Sequence, residues 1–108
     1  MTYTSKLKDN FIDELFRAIL LLEDESECYR FFEDICTVGE LKSLAQRLEV
    51  AKMLMDNLTY TAISQSTGAS TATISRVKRA LDYGAGGYRL ILDRLQHAPG
   101  PGEGKGPR

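Results

Sequence analysis

A chain of 108 residues with a net charge of −1 has room for one small domain and little margin for a core. No stretch approaches the ~18 to 20 apolar residues of a membrane span, and the acid-containing N-terminus does not resemble a secretory signal, so a cytoplasmic protein without membrane contact is expected. The near-zero charge hides an asymmetry: nine acids face four bases from Met1 to Cys36, and three face seven from Thr59 to Arg108, which gathers positive potential at the C-terminal end.

The pattern predicts helices throughout. Lys6 to Leu22 reads as the first, and between Phe11 and Leu22 it is apolar on most of its circumference. A helix on a monomer surface carries a single stripe, so this one asks for cover that a partner subunit would supply. Asp24 with Glu27 has the spacing of a capping box and opens a second helix through Tyr29, Phe32 and Ile35. Thr37 with Glu40 is a second box, starting a long helix to about Met55 with Leu41, Leu44, Leu48, Ala51 and Met55 at three-four spacing.

After a break at Asp56-Asn57 comes TYTAISQSTGASTATISRVKRAL, Thr59 to Leu81, the pattern of a helix-turn-helix. Ile63 supplies the inward residue of a short helix, and Ser64 is small enough for a close crossing. Gly68 suits the left-handed position that ends it. Ser70 is a good N-cap for the next helix, with Ile74, Val77 and Leu81 inward. Thr71, Ala72, Ser75, Arg76 and Arg79 are left outward. Threonine and serine are mediocre helix formers, and a merely solvated surface more often carries Glu, Lys or Ala. Short polar and methyl-bearing groups suit base edges in a major groove, while guanidiniums suit phosphates. The candidate DNA-contacting set is Ser70, Thr71, Ala72, Thr73, Ser75, Arg76, Lys78 and Arg79, with double-stranded DNA as partner. The competing reading is a protein-interaction and dimerisation module whose helix-turn-helix is degenerate, and the thin basic patch favours it.

Gly84, Gly86 and Gly87 interrupt before a closing helix with Tyr88, Ile91, Leu92 and Leu95. The Pro/Gly-rich end, residues 97–108, cannot bury apolar area and is expected to be a disordered tail. One helical domain over residues 1–96 is therefore anticipated, with dimerisation helices at 6–58, the helix-turn-helix at 59–83 and the closing helix at 86–96. Cys28 and Cys36 have no ligand-spaced partner and His97 has none at all, so no metal, cofactor or role is assigned, and both thiols are expected buried or half-buried. No nucleophile or acid-base constellation marks an enzyme.

This order of elements resembles the Trp repressor family, specifically its tryptophan-repressor-like bacterial branch, over about Leu7 to Leu95. The likeness is strongest in GASTATIS-R, Gly68 to Arg76, and in Thr37 to Arg47. It implies an all-α fold in an intertwined homodimer that represses by occupying a pseudo-palindromic operator. It also implies an effector cleft, since in that family an indole lies between two arginines matched here by Arg47 and Arg76, with a threonine at the edge matched by Thr37. Val77 stands where the family has a glycine that makes space for the ring, and Ala80 where a serine helps hold the ligand's amino group. Added bulk and a lost polar contact each cost about 1 kcal/mol or more, which argues against tryptophan as effector.

Overall fold

The computed structural model describes residues 3–100. Six helices and no strand occur among them: α1 (Asn10–Leu20), α2 (Glu25–Ile35), α3 (Val38–Met55), α4 (Tyr60–Thr67), α5 (Thr71–Tyr83) and α6 (Gly87–Gln96). The chain forms two compact units, one ending at Leu41 and the other beginning at Lys42.

In the first unit the caps set the boundaries. The Asp9 carboxylate accepts the Ile12 N–H at 2.8 Å, so α1 begins at Asn10 and not at Lys6, and it ends at Leu20, two residues before Leu22. Hydrophobic periodicity runs past both ends because it does not register which side chain takes the orphan N–H groups. Asp24 caps α2 by accepting the Glu27 N–H at 2.9 Å, while the Glu27 carboxylate accepts from Glu23 and not from Asp24 itself, one residue off the reciprocal pattern. The Thr37–Glu40 box at the head of α3 is reciprocal: Thr37 Oγ1 accepts the Glu40 N–H at 3.0 Å and Glu40 Oε1 accepts the Thr37 N–H at 2.8 Å. Neither α1 nor α2 buries a side chain. Phe11 is 90% exposed and Leu20 82%, the opposite of what apolar groups favour in water.

The core lies in the second unit. Val50, Ala51, Ile63, Ala69, Ile74, Val77, Leu81 and Leu92 are buried, with Leu48, Met53, Leu54 and Tyr88 packed against them. From α3 this core takes Val50 and Ala51, whereas Leu44 and Met55 of the expected stripe remain exposed. The helix is apolar on two sides, and three-four spacing cannot say which side its own unit uses. Asn57, at φ 64°, turns the chain after α3, and asparagine tolerates that region better than other residues with a Cβ.

Gly68, at φ 73°, ends α4 with its N–H on the Ser64 carbonyl at 2.8 Å. Gly84 ends α5 for a different reason: a Cβ there would stand 2.5 Å from the Ala80 carbonyl oxygen. After α6 the backbone continues with hydrogen bonds from His97 to Arg94 and from Ala98 to Leu95. The rest of the expected tail, residues 101–108, lies outside the described residues.

Candidate nucleic-acid interface

The helix-turn-helix is built from α4, the Gly68 turn and α5. Ile63 from α4 and Ile74, Val77 and Leu81 from α5 are buried. The 3.6-residue period then carries Ser70, Thr71, Ala72, Ser75, Arg76, Lys78 and Arg79 to the exposed side, with Thr73 half-buried between. The hydroxyls on this face divide into two kinds. Ser70 Oγ accepts the Thr73 N–H at 3.1 Å and lies 3.2 Å from Thr73 Oγ1, so both are taken up in starting the helix. The side-chain hydroxyls of Thr71 and Ser75 form no hydrogen bond among the described residues and are exposed to an outside partner.

The cations divide likewise. The Arg76 and Arg79 guanidiniums make no ion pair or hydrogen bond among the described residues, and both residues are exposed. Lys78 donates to Asp82 at 2.9 Å, and Arg89 reaches the same carboxylate at 3.7 Å while its Nε donates to the Leu81 carbonyl. Asp82 was not foreseen as part of this face, although its four-residue separation from Lys78 on one helix was the available signal.

Four of the five expected effector residues come together. Arg47, Arg76, Val77 and Ala80 line an open cleft of about 410 Å³, with Ser43, Thr73 and Tyr88. Arg47 Nη2 donates to Ser43 Oγ at 3.1 Å, and Val77 is 2% exposed. Thr37 belongs to the other unit, and its hydroxyl caps α3. Ser43, one turn before Arg47, went unnoticed in sequence, and Tyr88 was read there only as a residue of the closing helix. Beside the cleft, Leu44, Leu48 and Ile91 line a more apolar hollow of about 440 Å³ that also touches Arg47, Ala80 and Tyr88. No group of His, Cys, Asp or Glu able to hold a metal occurs among the described residues. Cys36 is half-buried, but Cys28 is exposed, because α2 buries none of its residues.

An αL turn between two helices that share a core, with a polar face on the second, defines a helix-turn-helix protein. The chain belongs to the Trp repressor family, a family of DNA-binding regulators: the family model described as Trp repressor protein matches residues 10–96. It is 58% identical over 91 residues to the uncharacterized protein YerC of Bacillus subtilis (strain 168), covering 84% of this chain and 88% of YerC. Among solved structures, a Trp repressor candidate from Staphylococcus aureus is 56% identical at a TM-score of 0.81, covering 88% of this chain and 95% of that one. A TrpR-like protein from Eubacterium eligens is 54% identical at a TM-score of 0.82, covering 88% and 98%. No described helix is long and apolar enough to cross a membrane.

The two kinds of hydroxyl lead to different consequences for stability. Ser70→Ala removes a cap and should lower the unfolding free energy by about 1 kcal/mol. Thr71→Ala and Ser75→Ala, without partners in the fold, should stay within about 0.5 kcal/mol. Urea titrations followed by circular dichroism check both, and a loss at Ser75 as large as that at Ser70 would mean the outward hydroxyls serve the fold.

Proposed function

We propose that this protein is a sequence-specific DNA-binding transcriptional regulator, a cytoplasmic repressor that occupies a pseudo-palindromic operator as a homodimer and does not respond to tryptophan. The observation that carries this reading is the outward face of α5, where the Thr71 and Ser75 hydroxyls and the Arg76 and Arg79 guanidiniums are exposed and have no partner among the described residues. Thr71, Ala72 and Ser75 read bases directly or through water, with Ser70 and Thr73 ordering the helix start beside the groove. Arg76 and Arg79 hold phosphates, and Lys78, foreseen in the same role, is engaged by Asp82 until that pair opens. Residues 6–58 serve dimerisation, 59–83 the reading unit and 86–96 the closing helix of a domain over residues 1–96. Two-fold symmetry would set the paired α5 helices about 34 Å apart, one turn of DNA.

Salt dependence and base preference separate attraction from reading. With Lys78 held by Asp82, the two free guanidiniums of each subunit neutralise about four phosphates per dimer. Log affinity should then fall with log salt at a slope near −3.5, about two decades between 50 and 200 mM. Arg79→Ala should flatten that slope and weaken all sequences alike, and Asp82→Asn should steepen it by releasing Lys78. Thr71→Ala should change which fragments of the host genome are chosen and leave the slope alone. Gel-shift competition against random duplex measures all three. Equal loss on chosen and random DNA for Thr71→Ala contradicts the reading role, and binding to no fragment favours a protein-interaction module instead.

The exposed apolar residues of α1 and α2 support the homodimer, since leaving Phe11, Phe16 and Leu20 of α1 and Tyr29 and Ile35 of α2 in water is costly at about 25 cal/mol per Å². Interlocked contacts covering them would exceed the ~1,600 Å² of a standard interface. Folding and assembly then form one event, and the thermal midpoint should rise with protein concentration. A fully helical monomer by light scattering at micromolar concentration contradicts this.

Val77 and Ala80 on the wall of the Arg47–Arg76 cleft support the statement on tryptophan. Calorimetric titration with millimolar L-tryptophan should give no binding heat, and Val77→Gly with Ala80→Ser should begin to restore it. Micromolar binding to the unaltered protein overturns this part of the proposal.

A further inference from the structure

The turn between α4 and α5 is held from outside the helix-turn-helix. Gln46, half-buried on α3, donates its side-chain N–H to the backbone carbonyl of Thr67 at 3.1 Å. This is the only side-chain hydrogen bond from α3 to the helix-turn-helix among the described residues. Thr67 is the last residue of α4, and its carbonyl is one of those a helix end leaves without an intrahelical partner. The same residue's hydroxyl donates to the Ile63 carbonyl at 2.7 Å and accepts the Ala69 N–H at 3.1 Å. The next residue, Ser70, caps α5. A short run of polar contacts thus leads from α3 through Thr67 and Ala69 to the first turn of α5.

The geometry points to Gln46 as a positioning residue for sequence reading: by fixing the Thr67 carbonyl it sets the angle at which α5 leaves the turn, and so where Thr71 and Ser75 meet base edges. Gly68 alone cannot do this. A glycine at positive φ reaches that conformation without cost, but it reaches others as easily, so the turn is made possible by Gly68 and made single-valued by the contacts around it. A core of aliphatic side chains fixes separation more firmly than direction, whereas an amide-to-carbonyl bond is directional. Base readout by short side chains tolerates little rotation, because a hydroxyl at Ser75 has no length with which to compensate. A change at Gln46 should therefore act on selectivity more than on total attraction, which rests on Arg76 and Arg79.

This inference rests on the DNA-reading proposal, and the test separates the two. Gln46→Met keeps the length and packing but removes the donor, and Gln46→Lys keeps a donor within reach. Amide hydrogen exchange at Gly68 and Ala69 reports the turn without DNA. Gel-shift affinity for the fragment the unaltered protein retains best from its host's sheared genome, divided by affinity for random duplex, reports reading. In Gln46→Met, with unchanged helix content, exchange should quicken about fivefold and the affinity ratio should fall about fivefold, the worth of one net hydrogen bond. Gln46→Lys should restore both. An unchanged ratio with faster exchange overturns the positioning role and leaves a structural tie, and unchanged exchange overturns the clasp itself. If the unaltered protein prefers no fragment over random DNA, the reading proposal fails, the positioning role falls with it, and exchange alone decides whether Gln46 holds the turn.

Discussion

The shared core of Val50, Ile63 and Ile74 is the constraint on which the rest of the structure depends. All three are fully buried, and truncating a buried aliphatic of this size typically costs about 2–5 kcal/mol against a total stability of about 5–15. The ion pairs among the described residues fall well below that scale. The Lys78–Asp82 pair is half-exposed and contributes about 0.3–0.5 kcal/mol. Burial therefore decides the rotation of α5 about its axis, and charge does not. Once Ile74, Val77 and Leu81 face inward, the helical period leaves Thr71, Ser75 and Arg79 no choice but the outer side.

The same logic sets the two halves of the chain apart. The second unit encloses a core of its own, although Leu44, Leu90 and Leu95 stay exposed, and the outer face of α5 is polar where a groove and phosphates would be met. In the first unit the caps of α1 and α2 are complete, yet neither helix buries a side chain. Local hydrogen bonding specifies these helices, but their apolar surface lacks cover within the unit. Charge follows the division: acids dominate where apolar faces await cover, and bases where the helix-turn-helix stands. The small net charge of −1 thus coexists with a face of α5 on which Arg76 and Arg79 are exposed and without an ion pair among the described residues.

Much of this was legible in the sequence because it rests on local chemistry. Caps at Asp24, Thr37 and Ser70, the left-handed Gly68 and the inward Ile63, Ile74, Val77 and Leu81 each follow from a residue type at a fixed offset, and the structure contains all of them. Partner-dependent features were harder to see. The stripe Leu41–Leu44–Leu48–Ala51–Met55 describes a periodicity common to both apolar sides of α3, so it found the buried Ala51 and missed the equally buried Val50. Asp9 was overlooked as a cap because the apolar pattern extended beyond it. Cys28 is exposed, since thiol burial depends on the packing of α2 and not on its own type. Tyr88 and Gln46 lie far in sequence from the groups they meet, whereas Ser43 and Asp82 each stand four residues from a partner on the same helix. Tertiary proximity of the first kind leaves no spacing to read, and the second kind offered only its helical offset.

The central claim is that the exposed face of α5 is where duplex DNA is held and read. Backbone amide chemical shifts recorded while a genome-derived fragment is titrated into the protein test it most directly. The account predicts the largest shifts at the start of α5, from Ser70 to Arg76, extending to Arg79, with α6 little changed. Largest shifts on α1, α2 or α6 with α5 undisturbed would contradict it.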